Sequence, residues 1–141
     1  MKPFLIVFSL AITSFTMSAG SAIAADLAVD VSGVVEAKGE VYAAVYNREE
    51  NWLRLNFAKT KVPAAVGTVR LTFAGLPPGE YAVTVFHDVN GNGKLDINVF
   101  GIPSEPTGSS NDAPAHFGPP RYAAARFALG AEAKTIAIKL N

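Results

Sequence analysis

Between residues 87 and 108 the chain reads HDVNGNGKLDINVFGIPSEPTG, a run of oxygen-bearing side chains set two apart around glycines. With Asp88 as the first position, Asn90, Asn92 and Asp96 fall at the third, fifth and ninth, and Gly93 at the sixth. Lys94 at the seventh offers a backbone carbonyl, and Leu95 at the eighth an apolar anchor. Calcium is the ion such spacing suits. A hard cation takes about six to eight oxygens, and alternate residues of a tightly wound loop can all point inward.

The spacing resembles the first nine positions of an EF-hand loop and then departs from it. The twelfth position would be a glutamate binding through both oxygens, and here it is Val99. The preceding residues, Tyr81 to Phe86, alternate like a strand rather than a helix. Waters or a distant carboxylate would have to complete the shell, and Glu105 and Asp112 are the carboxylates within reach along the chain. A second reading stays open. Asn-Gly-Asn-Gly is also a tight-turn sequence, whose side chains can bond their own backbone without any ion.

His87 and His116 are the only histidines. Paired with Asp88 or Glu105 they could form an acid–base site, the alternative being a small-molecule hydrolase that uses His87, Asp88 and His116. Against it, His87 continues the inward series Tyr81, Val83, Val85, where a structural histidine is expected. Ser109 and Ser110 lack any nucleophile motif, and no zinc cluster or phosphate loop is present. Trp52, with Tyr46, Arg48 and Arg54 nearby, is a candidate surface for a glycan or an envelope protein, set against the simpler role of covering one end of the core.

These residues need elements to hold them, and the chain alternates in twos. Val69, Leu71 and Phe73 oppose Thr68, Arg70 and Thr72, and Ile136, Ile138 and Leu140 oppose Thr135, Ala137 and Lys139. Tyr81–Val85 and Val41–Val45 repeat the pattern, and 27–35 and 122–129 are further strand candidates. Residues 48–64 could hold a helical turn, limited by Pro63. Residues 100–121 carry five of the nine prolines and predict one long Pro/Gly-rich loop. The expected fold is an all-β, seven-strand antiparallel sandwich.

The N-terminus reads as an export signal. Lys2 precedes an apolar stretch, no charge recurs until Asp26, and Ala22-Ile23-Ala24 fits a peptidase site. Removing residues 1–24 leaves a single domain over 25–141 with formal charge −1 and no cysteine. The expectation is therefore a periplasmic or secreted protein with no integral membrane segment after cleavage and no lipid anchor at the cleavage site. No basic patch suits nucleic acid.

Two resemblances follow. Leu76-Pro77-Pro78-Gly79-Glu80-Tyr81 resembles the strand–turn–strand of transthyretin-like (prealbumin-like) and carboxypeptidase-regulatory sandwiches, with Gly79 placed to take positive φ and Tyr81 to enter the core. The longer stretch GLPPGEYAVTVFHDVNGNGKLDINVFGIPSEPTGSSN, followed by FGPPRYAAARFAL, resembles the bacterial family catalogued as domain of unknown function 2141. That resemblance covers about Leu27 to Leu140 and implies an exported single-domain β-protein, with no activity attached. The C-terminal Tyr-Arg-Gly-Ser signature of the transthyretin-like hydroxyisourate hydrolases is missing, since the chain ends Ile138-Lys139-Leu140-Asn141. The reading that results is a non-catalytic module with a calcium loop.

Overall fold

A computed structural model describes residues 23–141. The export signal expected over 1–24 lies, but for its last two residues, outside them.

Strand β1 (Ala25–Val34) sits at the centre of a three-stranded sheet, between β4 (Gly67–Leu76) and β8 (Lys134–Lys139). The second sheet runs β3 (Ala58–Pro63), β2 (Glu40–Tyr46), β5 (Gly79–Asp88), β6 (Thr107–Ser109), with β7 (Phe127–Leu129) also on β5. The apolar members of each alternation face one another. Leu27, Val29, Val31, Leu71, Phe73 and Ile138 meet Val41, Val45, Tyr81, Val83 and Val85 in one buried core. This is the two-sheet sandwich that period-two patterning demands, because each sheet has one apolar face to hide.

Three expectations need correction. Eight strand segments replace seven because the outer neighbour of β5 is broken. β7 pairs with Gly79–Tyr81 and β6 with Thr84–Phe86, leaving Ala82 and Val83 between them. The buried Ser110 hydroxyl fills the gap, accepting from Val83 N at 2.9 Å and lying 3.4 Å from Val83 O. The sandwich is also not wholly antiparallel, since β1 and β8 pair in parallel. Finally, the strand expected over 122–129 is a helical turn, α1 (Tyr122–Ala125), followed by β7. Three consecutive alanines favour helix, and only Phe127–Leu129 reaches the edge of β5.

Residues 48–64 hold a single 3-10 turn (Glu49–Asn51) and then β3, which the sequence reading missed. In β3, Ala58, Thr60 and Val62 turn toward the core while Lys59, Lys61 and Pro63 stay exposed. Lysine and proline are residues that keep an edge strand from pairing further. At the β4–β5 turn Tyr81 is buried as expected, its hydroxyl donating to Pro77 O at 2.6 Å. The positive φ, however, belongs to Gly75 and not to Gly79.

Candidate functional site

The loop of residues 88–105 leaves the end of β5 and returns to β6. Successive residues of a strand point to opposite faces, so His87 turns inward and Asp88 outward. That alternation separates two residues the hydrolase reading needs together. His87 is fully buried opposite Val41, and its Nε2 lies 2.6 Å from Lys38 O. A carbonyl can only accept, so Nε2 is the donor, and the buried Nδ1 has no hydrogen-bond partner among the described residues. His116 sits in the exposed 113–121 segment and shares no hydrogen bond with His87, Asp88 or Glu105 among the described residues.

Asp88 is equally buried, and its carboxylate organises the loop. Oδ1 accepts from Gly91 N (2.8 Å) and Asn92 N (3.2 Å), and Oδ2 from Gly93 N (2.7 Å). Gly93 makes the bend at φ +78°, a conformation that side chains with a Cβ resist. Beneath it Gly39, at φ +71°, lies so close that a Cβ there would stand 1.8 Å from the Asp88 carbonyl oxygen.

Three more of the expected ligands meet at Asp96. Asn92 Nδ2 donates to its two oxygens at 2.8 and 3.0 Å, and Asn90 Nδ2 donates to Oδ2. The Oδ1 atoms of these asparagines accept from Asn92 N and Lys94 N, both at 3.1 Å. The amide bonds, Asn92 first and then Asn90, hold the Asp96 carboxyl below its ordinary pKa. Glu105 completes the ring. Its Oε1 accepts from Val89 N and its Oε2 from Asp96 N, each at 3.1 Å, so one carboxylate ties both ends of the loop. Asp112, the other carboxylate expected to help, is elsewhere. Its Oδ1 accepts from Lys139 N on β8, a bond fixed by the chain's turn at Asn111 and Asp112, both at positive φ.

The donor set can be tested against a cation. Each carboxylate oxygen has two lone pairs, and Asp88 Oδ2 uses one of them on Gly93. Asp96 is half exposed and faces amide groups rather than cations. Asp88 Oδ2 and Asp96 Oδ1 each accept one bond and so keep a second lone pair. Asn90 and Asn92 suit a hard cation once their amides rotate to present oxygen, which costs the two backbone bonds that oxygen now accepts. The loop thus closes on itself, by the same side chains that a cation would use.

Trp52 is half-buried. Its indole donates to Pro120 O at 2.8 Å, and its ring meets Tyr46 and Tyr122 edge-on at 5.0 and 5.7 Å. With Ala82, Tyr122 and Ala125 it forms a second small core on the outer face of the five-stranded sheet. Phe117, in the neighbouring exposed segment, is fully exposed at φ +54°.

Sequence reasoning passed over a row beside the loop. Lys61, Tyr42 and Phe86 are cross-strand neighbours on the outer face; the two rings stack at 5.0 Å, and Lys61 Nζ lies 5.5 Å from the Tyr42 ring centre. Tyr42 and Phe86 stand far apart along the chain, and only the pairing register joins them.

A family model described as "Uncharacterized protein conserved in bacteria (DUF2141)" matches residues 29–137, most of the chain. The chain belongs to the DUF2141 family. The DUF2141 match spans both sheets and the whole of the 88–105 loop. No curated protein and no solved structure matches the chain.

Proposed function

We propose that this DUF2141 protein is an exported, non-catalytic module of the transthyretin-like sandwich type, whose 88–105 loop is ordered by calcium and serves as a binding surface in the cell envelope. The observation that carries this reading is the convergence of Asn90, Asn92 and Asp96 beside a buried Asp88, with Gly93 at the bend. The separation of His87 from Asp88 and His116 supports a module over the hydrolase. The Pro77–Tyr81 turn and the seven strand positions, counting β6 and β7 as one interrupted edge, favour the transthyretin-like type.

In this reading the cation draws on Asp88, Asn90, Asn92, Lys94 through its carbonyl, and Asp96, while Glu105 stays on the backbone as a brace. Water fills the remaining positions. Ordering by an ion beforehand lowers the entropy a partner must overcome. The test is calorimetric titration of chelator-treated protein, residues 25–141, with calcium, alongside thermal melts. The expected result is saturable binding in the range of about 10⁻⁴–10⁻³ M, typical of extracellular modules. Asp96→Ala should abolish it while the protein stays folded. No heat and no melting shift at millimolar calcium would leave the loop as the self-closed turn described above.

A further inference from the structure

Asn90-Gly91 and Asn92-Gly93 are the two Asn-Gly pairs of the chain, and they follow one another in the loop. An asparagine before glycine carries a latent reaction of its own. The glycine nitrogen can attack the asparagine Cγ, because glycine has no Cβ to obstruct ring closure. The N–Cγ bond forms, the Cγ–Nδ2 bond breaks, and Nδ2 leaves as ammonia with the proton of the glycine amide. Water then opens the succinimide to aspartate or isoaspartate, so the conversion consumes nothing but water. Both asparagines and both glycines are exposed to it.

One buried side chain governs both attacking atoms. Gly91 N donates to Asp88 Oδ1 at 2.8 Å, and Gly93 N donates to Asp88 Oδ2 at 2.7 Å. An amide nitrogen attacks only after it loses its proton and swings toward Cγ. A carboxylate that accepts from that N–H opposes both steps, since it holds the amide plane in place and disfavours a second negative charge beside it. Asp96 anchors the two asparagine side chains, but those bonds do not touch the glycine nitrogens. The proton at stake sits with Asp88.

We infer that Asn90 and Asn92 form a covalent modification site that Asp88 holds shut, deamidating when the loop opens and staying intact while it is closed. The conversion is a one-way latch. Asn92 Nδ2 donates to both Asp96 oxygens, at 2.8 and 3.0 Å, and deamidation sets a carboxylate oxygen against that carboxylate instead. Like charges so close repel, and isoaspartate also lengthens the main chain by one carbon, which spoils the two-residue spacing. The modified loop no longer closes on itself. No cation is required, because the gate is made of the loop's own bonds.

The experiment incubates the 25–141 protein in chelator, folded and in denaturant, and follows amide loss at 90 and 92 by peptide mass mapping. Loss is expected in denaturant, and about tenfold slower or more in the folded protein, the factor that a hydrogen bond to a charged group commands. Asp88→Asn has one carbonyl oxygen, which can serve Gly91 or Gly93 but not both. One asparagine should then convert about tenfold faster than the other, in a protein whose circular dichroism remains that of the parent. Asp96→Ala leaves the Asp88 bonds in place and should keep both conversions slow. Equal rates in folded and denatured parent, or no conversion even in denaturant, would overturn the inference. So would a folded Asp88→Asn that converts as slowly as the parent at both positions, or an Asp96→Ala that converts as fast as denatured protein.

Discussion

Asp88 is the residue on which the loop depends, with or without an ion. Its two oxygens take three backbone N–H groups in a fully buried setting. Asp88→Ala leaves those donors without an acceptor, a loss of about 3 kcal/mol. The expected fall in melting temperature is about 10 °C, measured in chelator so that no cation contributes. Gly39→Ala should be comparably severe, because its Cβ would collide with the Asp88 carbonyl at a backbone angle that alanine resists. Chemical denaturation of that variant checks it. At this scale the sequence was informative about which oxygens share a loop, since spacing alone brings Asn90, Asn92 and Asp96 together. It could not say which amide atom faces inward, nor that Glu105 and not Asp112 would reach back, because both depend on how distant strands lie.

Among the elements, the broken edge beside β5 is the part most dependent on side chains. Ser110 bonds Val83 and donates to Ala125 O, and Asn111 Nδ2 bonds Ala124 O and Arg126 O, so two residues splice β6 to α1 and β7. Ser110→Ala should cost about 1–3 kcal/mol, since it strands the buried N–H of Val83. Hydrogen exchange should show faster exchange at Val83 and across 122–129, with little change in β1. Trp52→Phe keeps the packing and loses the bond to Pro120, so it should raise exchange near 121–125 alone. The long strands were legible because each has a clean apolar face. β6 and β7 were not, being three residues long and defined by what they border. The alternation in β3 was present, but Pro63 and two lysines make an edge strand look like a loop.

For the whole molecule, acid is the informative stress. Asp30 is held below its ordinary pKa by its bidentate bond to Arg70, Glu40 by Lys61, and Asp96 by Asn92. A folded pKa below the unfolded one contributes stability above the unfolded value and loses it as pH falls through the folded one. Unfolded values near 3.8 and 4.5 therefore predict melting temperatures that hold steady from neutral pH to about pH 5 and decline below. Circular dichroism melts across that range check it, and a decline beginning above pH 5 would contradict it. The sandwich class followed from patterning, while the parallel pairing of β1 with β8 had no local signature, because it joins the two ends of the domain. That pairing carries a consequence in time. During synthesis β1 emerges well before its neighbour Lys134–Lys139, so the three-stranded sheet cannot close until every other strand of the domain has been made. Until then β1 stands with one edge uncovered, a seam that only the last strand can shut.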